Sequence, residues 1–262
     1  MYSAKPLIHG FPGKSKSHGA FGWSSLWLLR KPDSRVLIDT GPFAYMPLIH
    51  QGLANIGLTP NDITDVLLTH LHWDHVANFT MFPNATLWVG EDELNWAKQQ
   101  QAGTHFLSDL HVRGLLQAGD RLQRLRPGVQ LLEGISSIAT PGHTPGHLAF
   151  HAETDAGDHI FAGDSVKNAH ELATSLVDST MDADLSRASI ERLRSLLRDT
   201  SGRLIPGHDA PLMMTKSVIE REAGQVVEMS YFDGSYSGEC ELRIPIPAGQ
   251  PSKESDSRHV VK

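Results

Sequence analysis

Within six consecutive residues, His70-Leu71-His72-Trp73-Asp74-His75, the chain places four side chains able to bind a transition metal. A neutral imidazole offers a nitrogen lone pair and an ionised carboxylate offers oxygen, the donors that zinc takes at about 2.0–2.2 Å. His70, His72 and Asp74 alternate, so along an extended or turning segment they point to one side. His75 follows where the chain turns toward a helix. Three residues of the same kind stand in similar settings downstream: His143 after Pro141-Gly142, Asp164 after Gly163 and His208 after Pro206-Gly207. A histidine-rich loop facing solvent would explain any one of the 15 histidines. It does not explain a cluster at the end of an apolar run repeated, residue by residue, at the ends of three others. The chemistry these side chains point to is metal binding, and through it the activation of water near neutral pH.

Each of these residues terminates a short apolar segment. Residues 63–69 run into His70, 135–140 into Pro141-Gly142-His143, 159–163 into Asp164 and 204–207 into His208. Runs of this composition and length suit buried strands, and in α/β proteins ligands gather where such strands end. Four tips converging on one site therefore predict an α/β fold. The glycines at positions 142, 163 and 207 let the backbone turn tightly, and Pro141, Pro145 and Pro206 stiffen those turns. Upstream, residues 24–29 and 36–38 flank Lys31-Pro32-Asp33-Ser34 and read as a hairpin. Leu48, Ile49, Leu53 and Ile56 recur at helical spacing, with Gly57 as the stop. Residues 91–101 also read as helix. Ile190, Leu193, Leu196 and Leu197 line one face of another, capped by Asp182 or Asp184. Residues 105–116 show no clean period and read as a lid. The expected organisation is a single domain over residues 1–244 and a polar tail over 245–262.

Composition narrows the functional classes. The chain has 262 residues, 40% of them hydrophobic and 20% charged, and 23 Lys+Arg against 30 Asp+Glu leave a net charge of −7. That balance lacks the basic surface a general nucleic-acid binder requires. Cys240, the single cysteine, forms no internal disulfide, and the early residues carry Lys5, His9, Lys14, Lys16 and His18 rather than an apolar leader. The expectation is a cytoplasmic protein acting on a small molecule, with no nucleic-acid or membrane partner and with a homodimer as one possible assembly.

In this order and context, these motifs resemble those of the metallo-β-lactamase superfamily. The resemblance runs from Val36-Leu37-Ile38-Asp39-Thr40-Gly41 through the His70 motif, Thr140-Pro141-Gly142-His143-Thr144-Pro145-Gly146-His147 and Gly163-Asp164 to Pro206-Gly207-His208. It implies an αββα sandwich of two mixed β-sheets flanked by helices, and two divalent metal ions, zinc first with iron or manganese as substitutes. Carried over by position, His70, His72 and His143 hold the first ion, Asp74, His75 and His208 the second, and Asp164 bridges. It further implies that a hydroxide shared by the two ions attacks the carbonyl of a lactone or other ester, with Asp74 orienting the water or passing its proton to the leaving group. Asp39 and His147 are the candidates for orienting ligands, and a purely structural role suits His147 equally well.

Within the superfamily, overall length and Asp164-Ser165-Val166-Lys167-Asn168 look most similar to the quorum-quenching lactonase branch, whose substrates are N-acyl homoserine lactones. Those enzymes often carry Tyr three residues after the bridging Asp. Here Lys167 stands there, either reaching substrate as a catalytic group or lying solvated on the surface. Secreted β-lactamases usually have Cys at the Asp164 position, hydroxyacylglutathione (thioester) hydrolases add a basic helical region after the last ligand, and the nucleases insert a domain before it. A mononuclear-iron oxygenase, a thioester hydrolase and a non-catalytic small-molecule binder are the rival readings. Trp73 is expected to face the site, whereas Phe79, Phe82, Trp88, Phe106 and Leu107 are expected chiefly in the core.

Overall fold

The computed structural model describes residues 1–232, 234 and 239–249. A six-stranded mixed sheet is formed by β1 (Ser3–Ile8), β2 (Leu26–Lys31), β3 (Ser34–Ile38), β4 (Asp65–Leu67), β5 (Thr86–Gly90) and β6 (Leu122–Leu125), in that spatial order. A seven-stranded sheet follows from β7 (Gln130–Leu132), β8 (Ile135–Ala139), β9 (Leu148–Thr154), β10 (Gly157–Gly163), β11 (Arg203–Pro206), β12 (Leu212–Thr215) and β13 (Val218–Arg221), ordered from β13 to β7. Each sheet mixes parallel and antiparallel pairs: β3, β4, β5 and β6 run parallel beside antiparallel β1–β2–β3, and β10–β11 is the parallel pair of the second sheet.

Strand alternation explains why the sheets must stack. In β2, Trp27 and Leu29 face the second sheet while Leu26 and Leu28 face helices, and Val36 and Ile38 oppose Leu37 in the same way along β3. The second sheet repeats this: Phe161 and Ile205 point inward, Ile160, Ala162 and Leu204 outward. A sheet that is apolar on both faces has to be covered on both. The outer face of the first sheet is covered by α1 (Met46–Ala54), α3 (Glu91–Lys98) and α4 (Asp109–Leu116) through Ile49, Leu53, Leu94, Ala97, Val112 and Leu115. Between α1 and α3, the short α2 (Trp73–Val76) carries part of the His70 motif. The second sheet is covered by α5 (Ala169–Thr174) and α6 (Ala183–Thr200) through Leu172, Ile190, Leu193 and Leu197. The result is the αββα sandwich.

Asp182 is the residue that starts α6, its carboxylate accepting from the backbone N–H groups of Asp184 and Leu185. Two expectations need correction. Residues 105–116 are not an aperiodic lid, because residues 109–116 form α4 and bury Val112 and Leu115 against the first sheet. Exposed Leu110 and Leu116 on its other side obscure that two-residue stripe. A separate hairpin pairs β14 (Gln225–Tyr231) with β15 (Cys240–Ile246), so Pro245 and Ile246, read as tail, belong to a strand through their pairing with Val226 and Gln225. Residues 250–262 of the expected tail lie outside the described residues. Among the described residues no helix is long and apolar enough to cross a membrane.

Candidate metal centre

The strands β4, β8, β10 and β11 all deliver their following residues to one edge of the sandwich. His70 leaves the β4 strand end, His72 caps the start of α2 in extended conformation, and Asp74 and His75 occupy its first turn. His143 follows β8, Asp164 follows β10 and His208 follows β11. Close approach of backbone to ligand explains Gly207, where a Cβ would stand 2.1 Å from Asp164 Oδ1. At Gly142, with φ of +133°, a Cβ would strike the backbone of Ser186 at the head of α6.

All seven expected ligands come together. One donor atom from each of His70, His72 and His143 lies within 4.8 Å of the others, as do donors from Asp74, His75 and His208, and a third such group is His70, His75 and Asp164. Asp164 faces both sides of the cluster. Its Oδ1 lies 3.2 Å from Nε2 of His75 and 3.2 Å from Nε2 of His208, and its Oδ2 lies 3.3 Å from Nε2 of His143. Asp74 Oδ2 is 3.5 Å from Nε2 of His208.

Whether these residues suit cations is decided by the atoms left without partners. His70 Nε2, His75 Nε2 and Asp164 Oδ1 are buried and accept or donate no hydrogen bond. Each such orphan costs on the order of 1–3 kcal/mol, and cations held by the two groups would satisfy all three. The electrostatics agree. Burial and the neighbouring imidazoles hold His70 well below its ordinary pKa, and burial likewise lowers His143 and brings His72 to about 4, so these rings are neutral, with His143 Nε2 and His72 Nδ1 sharing a hydrogen bond at 2.9 Å. Burial alone would also depress His75 and His208, but the carboxylates, Asp164 foremost, outweigh it and raise both. Burial pushes Asp164 upward, yet His208, His75 and His143 hold it well below the usual carboxylate range. Positive charge beside Asp164 is thus what the cluster demands, as protons or as metal ions. The residues fit two cations.

Hydrogen bonds outside the cluster fix the direction of each ring. Asp39 Oδ2 accepts from His75 Nδ1 at 2.8 Å and from the Thr69 hydroxyl at 2.9 Å, while Oδ1 accepts from the Thr69 N–H at 2.8 Å. Because the Thr69 hydroxyl donates to Asp39, it accepts from His70 Nδ1 at 3.0 Å, which leaves His70 Nε2 as the free lone pair. His147 lies outside the three donor groups. Its Nε2 accepts from the backbone N–H of Asp164 at 3.1 Å and its Nδ1 donates to Thr140 Oγ1 at 2.8 Å, a neutral state kept by burial that lowers its pKa to about 3. The residue holds the Asp164 loop in place.

Sequence reading missed several supports. Glu93 is fully buried and its two oxygens accept from the N–H groups of Leu71 and Gly146, tying the His70 loop to the His143 loop. Burial pushes its carboxyl up to about 7. In the sequence it is one of three acidic residues opening a helix, an ordinary pattern. Asp209, next to His208, accepts from Arg221 Nε and Nη2 at 2.8 Å each and from the N–H groups of Ala169 and Ala210. Arg221→Ala should destabilise the fold by about 3–5 kcal/mol in denaturant titration, because it strands a buried carboxylate; a change below 1 kcal/mol would contradict that role.

A cavity opens on the cluster, lined among others by His72, Trp73, Asp74, Asp164, Lys167 and His208. Lys167 is not the solvated surface residue that base expectation favours. It is 7% exposed, its Nζ lies 2.8 Å from Glu171 Oε1, and its N–H donates to Glu171 Oε2. Trp73 lines the cavity as expected, and so does Phe106, which was expected in the core. Phe79, Phe82 and Leu107 are core residues, and Trp88 is half-buried with its indole N–H on Asp65. The segment between β1 and β2 supplies a wall through Phe11, Lys14 and Gly22, a contribution no local pattern announced.

The family model of the metallo-β-lactamase superfamily matches residues 21–208, and the chain belongs to that superfamily. It is 30% identical over 187 residues to metallo-β-lactamase domain-containing protein 1 of Xenopus laevis, covering 69% of each chain. It is 27% identical over 158 residues to an N-acyl homoserine lactonase of Bacillus thuringiensis, and the match spans 60% of the length of each. Among solved structures, a putative metallo-β-lactamase of Thermotoga maritima superposes with a TM-score of 0.65 at 24% identity over 81% of this chain and 99% of that one. The dizinc quorum-quenching lactonase AidC, in complex with its product, superposes with a TM-score of 0.64 at 18% identity over 75% and 77%.

Proposed function

We propose that the protein is a dinuclear-metal hydrolase that opens a lactone or cleaves another ester of a small molecule. The observation that carries this reading is the convergence of His70, His72, His143, Asp74, His75, His208 and Asp164 beneath one cavity, which five of them line, with Asp164 spanning the two groups. His70, His72 and His143 would hold one ion, Asp74, His75 and His208 the other, and Asp164 both. Two such ions, zinc by the donor set, supply a hydroxide near neutral pH and polarise a carbonyl.

The remaining work falls to the chain's own groups. Hydrolysis adds water across the C–O bond: oxygen joins the acyl carbon, the alkoxide departs, and one proton must reach it. Asp74 has a carboxylate that lines the cavity and is the group placed to hold that proton and hand it over. Lys167 reaches the same cavity as an ammonium buttressed by Glu171, in position to meet the carbonyl oxygen or a substrate carboxylate. Trp73 and Phe106 shield the reacting atoms from bulk water. The similarity to N-acyl homoserine lactonases supports the lactone as the first substrate class to try. Cytoplasmic residence is part of the same proposal.

A panel of lactones, aryl esters and thioesters, assayed with and without chelator, tests it. Chelator-sensitive turnover of lactones or esters is expected, restored by zinc. Turnover that ignores chelator, or one iron per chain with oxygen consumption, would overturn the reading. Lys167→Met should lower kcat/KM by about 10–100-fold, the scale of one lost charge-assisted contact, with metal content unchanged. Unchanged kinetics would remove Lys167 from the site.

A further inference from the structure

The three residues of the first donor group come from two loops that belong to different sheets. His70 and His72 follow β4 of the six-stranded sheet, and His143 follows β8 of the seven-stranded one. Neither loop by itself fixes the distance between them. Behind them, the Leu148 N–H donates to the Thr69 carbonyl at 2.9 Å and joins the strand ends. The loops themselves are joined by Glu93. Its Oε1 accepts at 3.0 Å from the N–H of Leu71, the residue between His70 and His72, and its Oε2 accepts at 3.2 Å from the N–H of Gly146. Residues 140–147 are closed on themselves by bonds from the Thr140 N–H to the His147 carbonyl and from the Gly142 N–H to the Thr144 carbonyl, so a hold on Gly146 is transmitted to His143. The other anchors of that loop, the Met181 and Asp182 N–H groups on the Gly142 carbonyl, lead to α6 and not to the His70 loop.

The support beneath Glu93 is rigid. It is the third residue of α3, and a Cβ at Gly146 would stand 1.9 Å from its backbone nitrogen, so the His143 loop rests directly on the first turn of the helix. The carboxylate is fully buried, no Lys or Arg pairs with it among the described residues, and the N–H groups of Leu71 and Gly146 favour its charge. A carboxylate buried without a cation is costly. What it supplies in return is two acceptors at a fixed separation, which no apolar residue of that size offers. The second group is held by other means. Ser24 Oγ donates to the Asp74 carbonyl at 2.5 Å, the Thr40 N–H and hydroxyl donate to the His75 carbonyl at 2.7 and 3.0 Å, and the His208 N–H donates to the Lys167 carbonyl at 2.8 Å. None of these bonds involves Glu93.

We propose that Glu93 is a positioning residue for the first group alone: it sets the spacing of His143 from His70 and His72, and with it the affinity of that group for its ion. The proposal rests on the dinuclear reading above and deepens it, because it makes the two ions separable by one substitution. Asp39 differs in this respect, since it aims one histidine of each group.

The test titrates the metal-free full chain with zinc against a chromogenic chelator, and reads anomalous scattering from crystals equilibrated at a zinc concentration that fills both groups of the unaltered protein. Glu93→Gln keeps the size of the side chain but turns an amide N–H toward one of the two backbone donors. It should weaken one site about 10–100-fold and leave the other within about threefold. The anomalous peak among His70, His72 and His143 should fade, and the peak among Asp74, His75 and His208 should persist. Asp39→Asn, the comparison, should lower both. A merely structural role for Glu93 would loosen both sites alike. Where Glu93→Gln does not fold, Glu93→Asp, which keeps both acceptors but withdraws them by one methylene, takes its place and should show the same selective loss. Equal loss at both sites, loss at the second alone, or two undiminished sites in a folded variant overturns this inference and leaves the dinuclear reading intact. An unaltered protein that binds no pair of ions at these residues overturns both.

Discussion

Asp164→Ala is expected to reduce kcat/KM by at least about 10³-fold, the loss seen when a charge-stabilising group is removed from a reaction centre, and to lower the bound metal below two ions per chain. The expectation follows from geometry. A single carboxylate stands 3.2 Å from the imidazoles of His75 and His208 through one oxygen and 3.3 Å from His143 through the other, so its removal takes a donor from both groups at once. It also removes the negative charge that raises His75 and His208. Elemental analysis and kinetics on whichever ester or lactone is turned over, run on one sample, measure both quantities, and circular dichroism verifies that the variant is folded. A folded Asp164→Ala protein with two ions and undiminished turnover would show that Asp164 is a bystander.

The second large effect is expected from a residue that touches no ion. Asp39 receives hydrogen bonds from His75 Nδ1 and from both the hydroxyl and the N–H of Thr69, and the Thr69 hydroxyl in turn receives His70 Nδ1. One carboxylate thus aims one histidine of each group. Asp39→Asn keeps the size and tolerates the φ of +60° found there, but its amide presents N–H groups to donors. Metal affinity should fall about 10–100-fold, read by competition with a chromogenic chelator. Loss of affinity with little change in thermal midpoint would separate aiming from folding; unaltered affinity would contradict the role.

How far these residues could be read in advance depends on where their partners lie. The gathering of the seven donor side chains and the four strand tips was legible because chemistry and local pattern coincide: an apolar run stops, a glycine turns the chain in three of the four cases, and a donor side chain follows. The two-sided burial of β2 and β3 was likewise implicit in their uninterrupted apolar runs. Glu93 was not legible, since its partners are backbone N–H groups of Leu71 and Gly146, which no spacing announces. Neither was the wall formed by Phe11, Lys14 and Gly22, whose placement depends on long-range contacts such as Ser25 N–H to the Gly207 carbonyl at 2.6 Å. Lys167 lies between these cases. Its burial follows from Glu171 four residues on, an i,i+4 pair visible in the sequence, but one that most often marks a solvated face. Phe106 was expected in the core by residue type, yet it lines the cavity.

The two layers of the cluster act together. The Asp39 and Thr69 network and the His147 contact to the Asp164 N–H hold lone pairs facing inward, where His70 Nε2, His75 Nε2 and Asp164 Oδ1 otherwise stay unsatisfied. The most direct test is metal stoichiometry and position together: elemental analysis of the purified protein after zinc loading, with anomalous scattering from its crystals. The account predicts two ions per chain, one among His70, His72 and His143, the other among Asp74, His75 and His208, both in contact with Asp164. A zinc-loaded protein without ions at that edge of the sandwich, its seven side chains turned away from one another, would contradict it.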